Sequence, residues 1–479
     1  MKKIICIASL ASILTMSCQN DFINLNPIST VSVDAVYKTD KDFQDAVVGV
    51  YSMLKNQYQD FWIFGDLRSD DSWHALGNDA FLISVDKFNM NGDAALMINT
   101  WRNYYSAINR ANLVLSRIET ADPAVVTNKT RHVAEAKFLR AFAYFDLVRI
   151  FGDVPLNTVP TSIAEGYTKK RESVDKIYDE VIIKDLLEAE AGLPEKYTGV
   201  DVGRVTKGAA RAILGRVYMT RKDFVKAEAK LQEVTTMGYS LLPVYKDLFD
   251  YTKDEHHSEY IFDIEYQDGN LGAGSGFSNK FLPKSANSLA ETFYGIKGGA
   301  GEQNTPTLAL FDSFDPKDPR RDVTVAKGYT DNNGVFQGFL QIATFTKKYL
   351  AVTNTLHDSK VNWKVIRYAD VLLMYAEALN ENGKSELALT YLNQVRTRAA
   401  MPVYASMPQD QLRAKIYEER IYELSMEGVR WFDLARTDRL VTVMGPLGMQ
   451  PYQALFPIPL VEIQIINNPS VLPQNPGYN

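Results

Sequence analysis

A mainly α-helical scaffold of paired helices, with long loop insertions and little β structure, is the fold class that this 479-residue sequence predicts. Three observations point there. Apolar residues recur at helical spacing in several long windows. Two segments far apart in the chain share one apolar register. Elsewhere, glycine, asparagine and aspartate crowd stretches that a long regular helix could not hold.

In chain order, the first element is a leader. MKKIICIASLASILTMSC places two lysines before a short apolar run that ends, after small residues, at Cys18. The run is too short for a lasting membrane span and fits an export signal. Cleavage before Cys18 would remove residues 1–17 as a signal peptide and leave a thiol and an amine for acylation. Several acyl chains anchor stably, because each buried methylene contributes about 0.8 kcal/mol and one chain alone binds marginally. Residues 19–27 read as a polar tether. Helical spacing then runs over 42–54, with Phe43, Ala46, Val47, Val50 and Leu54 on one face. Residues 56–95 are rich in turn formers, among them Gly65, Gly77, Asn78, Asp79 and Gly92, and predict a loop region. Helices are expected again over 101–118 and 133–150, the second stopped by Gly152 and Pro155.

The shared register lies further on. Leu214, Gly215, Tyr218, Ala227 and Leu231 recur with identical offsets as Tyr375, Ala376, Leu379, Ala388 and Leu392. Both match a tetratricopeptide-like helix-turn-helix, in which small residues let paired helices approach and large ones fill the groove. Residues 265–362, with eight glycines from Gly269 to Gly301 set among aromatics, read as an insertion of loops on one face. The proline- and asparagine-rich end from 457 to 478 is expected to be extended and strapped to the surface. The expected organisation is an N-terminal region over 18–235 and a C-terminal region over 236–479, packed as one compact fold.

Composition excludes several classes of function. Net charge is −6, and lysines and arginines are interleaved with acids, which argues against nucleic acid as a partner. With the leader gone, Cys18 is the only cysteine, so neither an intrachain disulfide nor a cysteine-rich metal site is available. The five histidines, at 74, 132, 256, 257 and 357, repeat no metal-ligand spacing, and no metal or cofactor is expected. Asp70 and Asp71 are adjacent, whereas a glycosidase needs two carboxyls facing each other across the bond. LGAGSG from Leu271 lacks the lysine and helix of a phosphate cradle. In SFDPKDPRRD, the prolines suggest rigid turns fixed by Arg320 or Arg321 rather than a calcium loop. Glu419, Glu423 and Glu427 form an acidic stripe that requires arginines from its own or a neighbouring helix, such as Arg396 or Arg398, and reads as a half-buried ion network holding the repeats together. The sequence points to binding, not to an enzyme.

Candidate binding residues are the aromatics outside helical periodicity. A sugar offers apolar C–H faces rimmed by hydroxyls, so its receptor needs a flat ring beside short polar groups. Asp70, Asp71, Trp73, His74, Asn78 and Phe81 supply that mixture in one loop, with Trp73 as the platform. Phe277, Phe293 and Tyr294 are the later counterpart, of which Tyr294 or Phe277 would complete the platform.

Several long segments in fixed order resemble the SusD/RagB family of surface lipoproteins. They are DFINLNP with AVVGVYSML, AEAKFLRAFAYFDLVRIFGDVPL, RVTKGAARAILGRVYM, SFDPKDPRRD, VIRYADVLLMYAEALNENG with LNQVRTRA, YEERIYELSMEGVRWFDLAR, and the closing QNPGY. The resemblance implies a helical SusD-like fold and an outer-membrane lipid anchor at Cys18 facing the cell exterior. It also implies capture of an oligosaccharide for delivery to a SusC-like TonB-dependent transporter. The alternatives are a peptide-binding RagB-like member and, behind it, a secreted glycan hydrolase.

Overall fold

The computed structural model describes residues 36–74, 79–253, 255–340 and 342–478. Cys18 and Asn78 lie outside them. The elements that matter to the argument, in chain order, are α1 (Asp40–Tyr58), β1 (Ser72–Trp73), α2 (Ala95–Glu119), α3 (Lys129–Phe151), α4 (Lys184–Gly192), α5 (Lys207–Thr220), α6 (Phe224–Thr235), β2 (Tyr260–Ile264), β3 (Thr305–Pro306), β4 (Trp363–Arg367), α7 (Tyr368–Glu381), α8 (Ser385–Arg398), α9 (Gln409–Leu424) and α10 (Arg430–Arg436). The fold is mainly helical, as expected, and its strands form only small two-stranded ladders among the described residues.

Local chemistry sets the helix ends. Thr39 and Asp42 make a reciprocal capping box at the start of α1, satisfying backbone donors that a first turn leaves open. At the far end of α3, Gly152 takes φ +75°, a conformation that favours glycine, and its N–H closes on Val148. Almost every side chain of α3 is buried, so this helix is the centre of the N-terminal half. Its Asp146 accepts hydrogen bonds from Tyr58 at 2.8 Å and Tyr104 at 2.9 Å, joining α1, α2 and α3 through one carboxylate.

From α1 to α6, and again from α7 to α8, each helix packs on the next one in the chain, and α6 lies on α7. The two segments of shared register are therefore neighbouring helix pairs, α5–α6 and α7–α8, brought together across the intervening insertion. The reason for small residues in that register is visible at Gly215, where an added Cβ would stand 2.5 Å from Leu231 Cδ2. Ala227 and Ala388 are fully buried. One apolar core runs through residues from Phe43 to Leu472. No helix among the described residues is long and apolar enough to cross a membrane.

The acidic stripe of α9 is a buried ion network. Arg320 pairs with Asp318 at 2.7 Å, Glu419 at 2.7 Å and Glu423 at 2.9 Å. Arg396 meets Glu419 at 2.6 Å and Arg398 meets Glu423. Arg367 bonds Glu423 at 2.6 Å and Glu427 at 2.8 Å, and Lys348 reaches Glu427 at 2.7 Å. Burial alone would raise the Glu423 pKa, but Arg398, Arg367 and Arg320 hold it well below the usual carboxylate range. The C-terminal strap is present too, with Asn475 Nδ2 donating to the carbonyls of Phe151 and Phe456 at 2.9 and 2.7 Å. It is not wholly extended, since Leu460–Ile466 forms a short helix closed by Asn467 at φ +47°.

Candidate functional site

The stretch that carries Trp73 starts from a tight backbone contact. Ile63–Leu67 is a single π-type turn, and an added Cβ at Gly65 would stand 2.0 Å from the Gly428 carbonyl. The next residue, Asp66, is fully buried, accepts the Gly428 N–H at 2.8 Å and accepts Asn304 Nδ2 at 3.2 Å. Asn304 in turn accepts from Ser72 Oγ at 2.7 Å. That chain of bonds sets the register in which β1 pairs with β3, Trp73 opposite Thr305 and Ser72 opposite Pro306. Thr307 adds bonds to the carbonyls of Asp70 and Asp71.

The insertion builds a second, smaller core around Leu282, Ala290, Ile296, Ala326, Tyr329, Ile342, Phe345 and Leu350. Trp73, Phe293, Tyr294 and Phe339 pack on it while staying part exposed. Phe293 stacks on Tyr329 with centroids 4.6 Å apart and meets Tyr294 edge-on at 4.9 Å. Two sequence insertions, more than two hundred residues apart, thus place Trp73 and Tyr294 against one small apolar core. Burial pushes the Tyr294 phenol well up, so it remains a neutral hydrogen-bonding group.

Four expected residues take different places. Phe277 is fully buried, 5.8 Å from Phe281, 5.2 Å from Trp363 and 5.5 Å from Tyr349 by ring centroids, and belongs to the main core; it offers no platform. Its glycine-rich neighbourhood suggested a surface loop, but Phe277 begins a short buried helix there. Asp71 also turns inward: Ser425 Oγ donates to its carboxylate, and burial pushes its pKa up to about 6 against the pull of Arg430. Asp70 is clamped bidentately by Arg430 at 2.7 and 2.6 Å, so the two acids do not face a common substrate. His74 is buried, neither ring nitrogen has a partner among the described residues, and burial lowers its pKa. Phe81 sits half-buried on the main core in a short helix capped by Asp79. Sequence reasoning overlooked Phe339 and the positioning residues Asn304 and Thr305; no local signal marks them, because their roles depend on pairing with residues near 72.

A groove of about 610 Å³ opens in another part of the surface, lined by residues that include Trp101, Tyr105, Asn109, Tyr167 and Ile465. It contains none of the expected site residues.

A small, part-exposed aromatic surface is thus held on a helical scaffold, and comparison with known proteins gives the family. Residues 324–447 match the SusD family, and residues 21–219 match a family described as starch-binding and associating with the outer membrane. SusD-like protein P2 of Formosa agariphila is 30% identical over 502 residues, covering 95% of each chain. This chain belongs to the SusD/RagB family. A laminarin-binding SusD-like protein of known structure is 27% identical, with a TM-score of 0.79 over 92% of this chain and 100% of its own. Surface glycan-binding protein A of Bacteroides thetaiotaomicron, solved with laminarihexaose, shares the fold at 22% identity and a TM-score of 0.79 over 91% of this chain and 100% of its own.

Proposed function

We propose that the protein is a non-catalytic, lipid-anchored receptor that captures an oligosaccharide at the cell exterior and passes it to a SusC-like TonB-dependent transporter. The observation that carries this reading is that Trp73 and Tyr294, both part exposed, pack against the same small apolar core. Such rings can stack on the C–H face of a pyranose, and the Tyr294 hydroxyl is a group suited to its hydroxyls. Membership of a starch-binding, outer-membrane family supports the ligand class and location. Cys18 is the proposed lipidation site. An exposed aromatic surface favours sugar over peptide, for which a deep cleft with backbone-pairing groups would be expected.

The laminarin-binding relative makes laminarin oligosaccharides the first ligands to test, with malto-oligosaccharides and a peptide pool beside them. Calorimetry should detect binding of one glycan class. Trp73→Ala should weaken it at least tenfold, since truncating a central tryptophan typically costs about 2 kcal/mol. Unchanged affinity in the variant would move the site away from Trp73, and the 610 Å³ groove would be next to examine. Binding of peptides alone would overturn the glycan reading.

A further inference from the structure

We propose that Glu255, His256 and Glu265 form a binding site for one divalent transition-metal ion of the Zn²⁺ class, separate from the aromatic cluster. One donor atom from each residue lies within 4.8 Å of the others. Three donors bonded to one small ion at about 2.0–2.2 Å occupy a space of that size. Glu255 and His256 stand in the turn before β2, and Glu265 follows directly after it. His256 Nε2 faces Glu265 Oε1 at 3.2 Å and Nδ1 faces Glu255 Oε2 at 3.6 Å, so the imidazole has a carboxylate at each edge.

A second shell of donors holds the carboxylates in place. Asn362, only 2% exposed, directs Nδ2 to Glu265 Oε2 at 2.7 Å and to Glu255 Oε1 at 3.5 Å, while its Oδ1 accepts the Tyr266 N–H at 2.8 Å. The Tyr260 hydroxyl donates to Glu265 Oε1 at 3.3 Å. Outer hydrogen bonds of this kind orient metal-ligating carboxylates. Two carboxylates kept side by side repel each other, and a cation between them removes that repulsion.

The donor set selects the ion. Calcium and magnesium take oxygen ligands, whereas an imidazole beside carboxylates suits zinc and its neighbours. Glu255 and His256 are exposed or nearly so, which leaves the remaining coordination positions to water. Histidine spacing could not reveal this set, because its donors are adjacent residues and a third one beyond a strand. A bound ion would tie the turn at 255–256 to the far end of β2 and stabilise the folded chain by linkage.

The test is calorimetric titration of the metal-stripped, tag-free protein with zinc chloride and with calcium chloride, beside thermal melts. One Zn²⁺ per chain is expected, at micromolar affinity, with a rise in melting temperature and no calcium heat in the same range. His256→Ala and Glu265→Gln should each weaken zinc binding at least tenfold and abolish the zinc-dependent rise. If Glu265→Gln fails to fold, His256→Ala in the exposed turn decides. No zinc binding up to millimolar concentration, zinc binding unchanged in His256→Ala, or calcium binding that survives that change would each overturn the assignment.

Discussion

Asp66→Asn should flatten the pH dependence of stability. Asp66 is fully buried and forms no ion pair among the described residues. Burial pushes its pKa up from 3.8 to about 7, with the Gly428 N–H and Asn304 pulling it back, the Asp71 charge adding to the rise, and Lys348 lowering it. An unfolded chain releases that proton near the ordinary carboxyl value, so between the two pKa values the folded state binds more protons. The favourable contribution is therefore present at low pH and lost as pH rises through about 7. Complete ionisation in place costs about 4 kcal/mol at 1.36 kcal/mol for each unit of displacement. The amide in Asp66→Asn has nearly the same shape and never ionises. Its oxygen can still accept from Gly428, and a flip of Asn304 lets that residue accept from the new amide and donate to Ser72. Urea denaturation across about pH 5 to pH 8 should show the variant gaining ~2–3 kcal/mol relative to wild type over that range. A difference that stays constant with pH would refute the assignment of Asp66 as a group whose ionisation opposes folding.

Three further outcomes are expected, besides that at Trp73. Ala227→Leu and Ala388→Leu should each lower the melting temperature, since overpacking of fully buried helix contacts typically costs about 1–3 kcal/mol; two silent substitutions would contradict the close packing of the helix pairs. Arg320→Ala should cost about 3–5 kcal/mol in urea denaturation by leaving Asp318, Glu419 and Glu423 short of a buried partner; a neutral result would mean that water or the remaining arginines replace it. Cys18→Ser should abolish fatty-acid incorporation in metabolic labelling while leaving the melting temperature unchanged; equal label in both proteins would rule out Cys18 as the acylated residue.

The scaffold was legible because its signals are local or repeated. The periodicity over 42–54, 101–118 and 133–150 gave α1, α2 and α3 within a turn or two at each end, and matched offsets gave the pairs α5–α6 and α7–α8. The stripe at 419, 423 and 427 announces an ion network half-buried between helices; the structure buries it fully, with Arg396 and Arg398 among its partners. What could not be read was which insertion residue faces in. Phe277 and Tyr294 have similar glycine-rich surroundings in sequence, yet one is enclosed by Phe281, Tyr349 and Trp363 and the other remains part exposed. Their fates depend on contacts with distant residues. Trp73 likewise looked like a loop residue, because its strand is two residues long and its partner is Thr305.

The same long-range contacts give the two loops of the proposed site a defined placement. The insertion that bears Tyr294 also bears Arg320 and Lys348, both buried, the first paired with Glu419 and Glu423 of α9 and the second with Glu427 just beyond its end. Asp70, three residues before Trp73, is gripped by Arg430 at the start of α10, and Asp71 is bonded by Ser425 between α9 and α10. Both loops are therefore moored to one helix-loop-helix segment of the scaffold, with charged groups whose separation would leave buried charge unpaired. Rings fixed in this way lose little conformational entropy when a ligand stacks on them, so the aromatic cluster is pre-organised. The buried ion network, which at first suggests chemistry, instead holds the segments of Trp73 and Tyr294 on a common base, as the proposed glycan site requires.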